Sequence, residues 1–300
     1  MTDYKNEFYN YLINVKKSSA NTVESYMRDI DSFLNYLNSF KIKPEKVTTD
    51  IIEQYTDSLT RMGRSTSTIT RVISSIRCYF RFLKSKGNIL DMPTHKTEQV
   101  KKDKKLPEIL SEQEIELLLM QPKVSDMKGL RDKAMLEILY ATGIRVSELI
   151  ELKVEDVNLQ MKVLHCKNGK NPRYIPIYDE ALHILMEYIT KVRPVLVFDD
   201  EENTLFTNMN GSPMTRQGFW KIVKQYSKQA GIKKDITPHT LRHSFAAHLL
   251  ENGANIVAIK DMLGHCDISS TNIYTRILEK QHTSQYASEY VSFHPKAKRA

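Results

Sequence analysis

The sequence predicts a mainly α-helical protein of two domains with one small β-hairpin. Three observations carry that expectation. Apolar residues recur at helical spacing through the first 90 residues, a lysine-rich stretch without either period follows, and only one later region reads as paired strands.

The first helix is expected from about Tyr4 to Lys16. In the next, "NTVESYMRDIDSFLNYL", residues Val23, Tyr26, Met27, Ile30, Phe33, Leu34 and Leu37 fall on one helical face. A third runs from Thr49, read as its cap, to about Met62, where Gly63 ends it. The fourth spans Ser65 to Lys86 and stops at Gly87. Its apolar face holds Ile69, Val72, Ile73, Ile76, Tyr79, Phe80 and Leu83, while Arg77, Arg81 and Lys84 line another face. That basic stripe is either a solvated surface or a track along a DNA backbone.

"DMPTHKTEQVKKDKKLPEIL" is polar and bracketed by Pro93 and Pro107, so residues 90–106 read as a linker between domains 1–89 and 107–300. The second domain opens with "SEQEIELLL", where Ser111 and Glu114 have the spacing of a capping box. A helix over about Gly129–Ala141 ends at Gly143, and Arg145 begins the short helix "RVSELIEL". "MKVLHC" and "RYIPI" are expected strands, joined by "KNGKNP" with its Asn-Gly turn signal. From Glu180 the pattern is again mainly helical. In "TPHTLRHSFAAHLL", residues 237–250, Thr237 suits the N-cap and Pro238 the first helical position.

Length, 300 residues, and 41% hydrophobic content allow substantial cores, and a formal charge of +8 suits a polyanionic partner, nucleic acid first. Cys78, Cys166 and Cys266 fit no zinc or CxxC spacing and read as reduced thiols of a cytoplasmic protein. The N-terminus lacks the pattern of a signal peptide, and no apolar run has the length of a membrane span.

Nucleotide-binding glycine loops are absent, as are metal-ligand clusters and the GxSxG elbow, so no metal or cofactor is expected. What remains is a set of cationic groups at helix starts and turns. His239 and Arg242, three apart, share a face near the positive end of their helix. Taken alone, they fit either a surface helix with a satisfied histidine or an anion site. Arg145, the lysines of the 167–170 turn, His265 after Gly264, and Tyr274 complete the set. Arg216 lies in "MTRQGFWKIV", whose Trp220 reads as core.

"ATGIRVSELIEL", "TPHTLRHSFAAHLLENGANIVAIKDMLGH" and "DISSTNIYTRI" resemble the signature blocks of the tyrosine site-specific recombinases, in particular the bacterial Xer recombinases. "SANTVESYMRDIDSFLNYL" and "STITRVISSIRCYFRFL" resemble the family's N-terminal, SAM-like core-binding domain, and "FHPKAKRA" its Xer C-termini. The resemblance implies roles for individual residues. Arg145 matches the first arginine, His239 and Arg242 the H-x-x-R pair, His265 the second histidine, Tyr274 the nucleophile and Glu148 a supporting acid. The family's hairpin generally reads like GKGNKER, whereas this one is "CKNGKNPR". Matching the Gly-Lys pair makes Lys170 the catalytic lysine; matching the strand end makes it Lys167.

The activity so implied is site-specific cutting and rejoining of DNA, independent of metal and ATP. It passes through a 3′-phosphotyrosyl intermediate and a Holliday junction. The expected partners are a double-stranded recombination site and a homo- or heterotetramer on two such sites, with exchange of a tail from about 279 to 300. A second Xer recombinase and a DNA translocase belong to the same picture; a membrane does not. Arg77, Arg81, Lys84 and Arg216 are candidate DNA contacts. Resolution of chromosome or plasmid dimers is the role Xer proteins suggest, with a mobile-element integrase or an inactive DNA-binding relative as alternatives.

Overall fold

The computed structural model describes residues 2–93, 108–167, 172–198 and 201–264. Its chain divides into two compact units, Met1–Lys104 and Lys105–Ala300.

In the first unit, α1 (Thr2–Asn10) continues as a π-helical turn over Tyr11–Val15, and α2 covers Ala20–Ser39. Then come α3 (Thr49–Arg61) and α4 (Thr66–Ser85). Ser19 and Ser65 cap α2 and α4 by accepting from backbone N–H groups in the first turn. Thr49 is not the cap of α3. Thr48 holds that position, and the Thr49 hydroxyl instead donates to the Pro93 carbonyl at 2.8 Å.

Phe8, Phe33, Tyr79 and Phe80 are fully buried in this unit's core, each burial worth roughly 1.5–3 kcal/mol. Phe8 meets Tyr79 edge to face at 5.2 Å. One charge lies inside. Asp29 accepts from Arg71 at 2.5 Å and from the Ser75 hydroxyl at 2.8 Å, so α2 and α4 are joined by a satisfied ion pair as well as by apolar packing. Of the basic stripe on α4, Arg81 and Lys84 are exposed and Arg77 is half-buried.

The second unit begins with α5 (Glu112–Met120), whose Ser111–Glu114 capping box forms on both sides. Next is α6 (Met127–Thr142), capped by Asp126 and ended by Gly143 in the left-handed conformation. α7 (Val146–Glu151) leads through a 3₁₀ turn to β1 (Val157–Asn158), β2 (Val163–Cys166) and β3 (Arg173–Pro176). These form one antiparallel sheet in the order β1-β2-β3, with Cys166 opposite Arg173 at the mouth of the hairpin. The strand β1 is additional to the hairpin read from the sequence.

α8 (Asp179–Glu187), a π-helical turn at Tyr188–Val192 and α9 (Arg193–Leu196) follow, then α10 (Arg216–Gln229), α11 (Pro238–Glu251) and α12 (Ile256–Leu263). Between α9 and α10 the described chain is irregular, held by isolated bridges Lys153–Thr204 and Thr207–Pro213. None of the described helices is long and apolar enough to cross a membrane.

α6 is the centre of this unit and is buried on all sides, charged residues included. Asp132 accepts from Arg131, Lys128 and the Tyr226 hydroxyl, and Lys133 is held by Glu137 and the Leu119 carbonyl. Each buried charge therefore has its partners, as the desolvation cost demands. Gly143 is required twice over at the end of α6. Its φ is +58°, and a Cβ there would lie 2.2 Å from the Phe245 ring of α11. That close approach sets the α6–α11 crossing from which the site is built.

Candidate active site

Four short segments meet: the turn after α6, the N-termini of α7 and α11, and the C-terminus of α12. Thr237 caps α11, accepting from Thr240 N–H, with Pro238 in the first turn. Arg242, on the second turn, is 5% exposed. Its Nη1 donates to the Gly143 carbonyl at 2.5 Å and its Nη2 to the Leu263 carbonyl at 2.6 Å. The guanidinium thus bridges the ends of α6 and α12.

Arg145 is the N-cap residue of α7. Its backbone N–H and its Nη1 donate to the two oxygens of Glu148, at 2.7 and 3.0 Å, and its Nη2 donates to the Gly264 carbonyl at 3.0 Å. Glu148 is 4% exposed, yet its two arginine partners hold its carboxyl below the usual carboxylate range against the opposing effect of burial.

His239 lies at the mouth of this cluster. Burial, and then the charges of Arg242, Arg145 and Arg216 in that order, push its pKa down. The shift favours the neutral ring, which can donate from one nitrogen and accept at the other. Its neighbour His243 is pushed down to about 4 by burial, His239 and Arg242. His248 is lowered as well, chiefly by burial. Its Nε2 donates to the Leu110 carbonyl at 2.8 Å, so Nδ1 accepts from the Tyr140 hydroxyl at 2.9 Å.

These shifts have a consequence for stability. The three rings bind protons more weakly folded than unfolded, so stability rises with pH in this range. We expect the unfolding midpoint to fall as pH drops from about 6.5, the unfolded value, toward 4. Thermal melts across that window check it, and His243→Gln should flatten the slope. An unchanged slope in that variant would remove His243 from the account.

The structure thus brings together Arg145, Glu148, His239, Arg242 and Arg216. Lys167 stands apart from them. It is exposed and paired with Glu155 at 3.0 Å and Asp156 at 2.8 Å, which raise its pKa. Lys170, His265 and Tyr274 lie outside the described residues, as does the segment from 279 to 300. Arg77, Arg81 and Lys84 belong to the other unit. Trp220 is not core: it is 46% exposed on α10 with the Lys224 ammonium over its ring.

One site residue has no signal in the sequence pattern. Arg173, the first residue of β3, is almost buried and forks onto Glu148, with Nη1 at 3.1 Å and Nη2 at 3.0 Å from its oxygens. Strand periodicity does not mark a buried arginine, and no local pattern ties position 173 to Glu148, 25 residues earlier in the chain.

Residues 108–281 match the model of the phage integrase family, and residues 6–87 match the phage integrase N-terminal SAM-like domain. The chain belongs to the phage integrase family of tyrosine recombinases. Tyrosine recombinase XerD of Oceanobacillus iheyensis is 43% identical, covering 97% of this chain and 98% of the relative. XerD of Staphylococcus epidermidis is 42% identical over the same shares, and that of Listeria innocua 40% over 99% of this chain and all of its own. This tyrosine recombinase is accordingly a DNA strand-transferring enzyme of the Xer type. Among solved structures, XerH bound to palindromic difH substrate matches with a TM-score of 0.77 at 20% identity, covering 92% of this chain and 82% of that one. A lambda integrase dimer bound to a COC′ core site matches with a TM-score of 0.75 at 18% identity, covering 96% and 99%. These two likenesses concern the fold.

Proposed function

We propose that the chain cuts and rejoins a specific duplex site by transferring a DNA phosphoryl group to Tyr274. The observation that supports the residue assignment is that Arg145 and Arg242 donate to the adjoining carbonyls of Gly264 and Leu263, while the charges of both act on His239. A phosphodiester resists attack because its anionic oxygens repel nucleophiles. Two guanidinium groups fixed in advance can bind the non-bridging oxygens and stabilise the extra charge of the pentacoordinate transition state. His239 donates a hydrogen bond to the same oxygens, supported by the N-terminal dipole of α11. His265, the residue after Gly264, supplies the second imidazole, and Tyr274 follows nine residues later.

Tyrosine suits the reversible step. Its phenol, with a pKa of about 10, is favoured as phenolate beside cationic groups. The bond from Tyr274 Oη to phosphorus forms as the bond to the 5′-oxygen breaks; the phenolic proton passes to a histidine of the site, and the displaced 5′-oxygen takes a proton from the hairpin lysine. The aryl phosphodiester conserves the bond energy, and attack by a 5′-hydroxyl of the partner strand reverses the step without ATP.

The XerD relatives match this chain end to end, which supports a tetramer on two DNA sites, alone or with a second Xer recombinase. It also favours dimer resolution on chromosomes or plasmids over integration of a mobile element. Residues 1–89 act as a DNA clamp, with Arg81 and Lys84 on phosphates, and residues 107–300 as the catalytic domain. The tail from about 279 docks on a neighbouring protomer, and a DNA translocase activates the assembly. Incubation with a suicide-nicked duplex tests the reading. A covalent protein–DNA adduct is expected; binding without adduct would leave an inactive DNA-binding relative.

The hairpin lysine gives a second expected result. Lys170→Ala should slow cleavage strongly, and a 5′-bridging phosphorothiolate should restore it, because a thiolate leaves without a proton. Lys167→Ala should give a milder loss without rescue, in keeping with its pairing to Glu155 and Asp156. Rescue of Lys167→Ala alone would reverse the assignment.

A further inference from the structure

We propose that Arg173 is a positioning residue for phosphoryl transfer, fixing Glu148, and through it Arg145, against the turn that precedes His265. The inference rests on the phosphotyrosyl reading above but concerns a residue outside the clamp itself.

Each nitrogen of the Arg173 guanidinium is engaged. Nε donates to the Met262 carbonyl at 2.6 Å, while Nη1 and Nη2 fork onto the two Glu148 oxygens. Glu148 in turn accepts four N–H bonds, two from Arg173 and two from Arg145. A carboxylate offers about four lone-pair sites, so its acceptor capacity is filled and its plane is fixed. Arg145 is held by one face of that carboxylate. With Arg173 gone, Glu148 keeps only its two bonds from Arg145, and the pair loses its tie to β3.

The C-terminus of α12 makes the arrangement specific. Three successive carbonyls there accept from three different arginines: Met262 from Arg173, Leu263 from Arg242, and Gly264 from Arg145. Cationic groups at a helix C-terminus complement its dipole and satisfy carbonyls that lack helical partners. Gly264 adopts φ +63°, and a Cβ on it would lie 2.8 Å from Arg173 Nη1. The turn and the guanidinium are therefore fitted to each other.

Arg173 also sits opposite Cys166 in the pair that closes the hairpin turn. It thereby connects three stretches that each bear a proposed catalytic group: the lysine turn, the start of α7 and the chain after Gly264. Nε, Nη1 and Nη2 of Arg173 all donate to protein acceptors, which assigns it to orienting the clamp.

The test compares the full-length wild type with Arg173→Gln, Arg173→Lys and Gly264→Ala. The DNA is a suicide-nicked duplex carrying the site recovered by cross-linking the protein to its host chromosome. Duplex affinity and single-turnover adduct formation are measured from pH 5 to 8.5. For Arg173→Gln we expect affinity close to wild type and an adduct rate about 30- to 100-fold lower, the scale of an ångström-size misplacement.

The pH profile separates positioning from simple loss of packing. The groups facing Glu148 are Arg145 from the α7 N-terminus, Arg173 from β3 and the Cys166 thiol from β2. Losing Arg173 leaves burial to push Glu148 up, so cleavage by Arg173→Gln should fall away at higher pH than in wild type as the solution is acidified. Arg173→Lys keeps a charge beside Glu148 and should restore the wild-type acid limb while recovering only part of the rate, because an ammonium cannot fork. Gly264→Ala, which displaces the guanidinium from the other side, should reproduce the rate defect.

Parallel losses of affinity and rate with an unmoved pH profile would overturn the proposal, as would an unchanged rate. Should Arg173→Gln fail to melt cooperatively, the lysine and Gly264 variants decide by the same measures. Absence of adduct from the wild type would bring down the phosphotyrosyl reading, and this inference with it.

Discussion

Replacing Arg242 with glutamine is expected to lower covalent cleavage at least about 1000-fold, at the upper end of what one charge-stabilising donor supplies. The same substitution should destabilise the second unit. Arg242 is buried, and its two terminal nitrogens satisfy the carbonyls of Gly143 and Leu263. Leaving two buried acceptors without donors costs about 1–3 kcal/mol each. Arg242→Lys separates the two effects. Lysine keeps the charge and reaches one carbonyl, but it cannot span both while facing a phosphate. It should melt closer to wild type and still cleave about 100-fold more slowly. Thermal melts and single-turnover adduct yields provide the two readouts. Near-normal cleavage by a folded Arg242→Lys would mean that the fork geometry is not part of the clamp.

Tyr274→Phe should remove adduct formation completely. Only one hydroxyl is lost, and no other group at the proposed clamp is assigned as a nucleophile. Duplex affinity should stay within about twofold, because the cationic contacts to phosphate that dominate DNA affinity are left in place. Gel-shift titration and denaturing electrophoresis on one set of reactions give both quantities. A normal adduct from the phenylalanine variant would assign the nucleophile elsewhere in the chain.

Helices that face solvent on one side were legible as such. α2 and α4 follow their apolar stripes, and the Ser111–Glu114 box and the Thr237–Pro238 start were visible as local hydrogen-bonding patterns. Periodicity marks the boundary between core and water, so the helix expected over about Gly129–Ala141 forms as α6, but its enclosure on all sides carried no such signal. α6 is enclosed, and its Arg131, Asp132, Lys133 and Glu137 find partners inside the protein. The exposed Trp220 is the opposite case, because an aromatic residue covered by a lysine looks apolar in sequence.

The site divides along similar lines. Arg145, Glu148, His239 and Arg242 could be named through the blocks that resemble the recombinases. Arg173 could not, because its role depends on partners 25 and 89 residues away in the chain. The three-carbonyl seat at 262–264 is invisible for the same reason. It is made by backbone atoms that every residue possesses, and only the fold aims three arginines at them.

The central claim is that fixed arginine and histidine groups activate a phosphodiester for attack by Tyr274. It is tested most directly by trapping the adduct in excess chelator and mapping the nucleotide remnant by mass after proteolysis. The account predicts undiminished adduct with chelator present and the remnant on the peptide containing Tyr274. A remnant on another residue, or an adduct that disappears when divalent ions are removed, would contradict it.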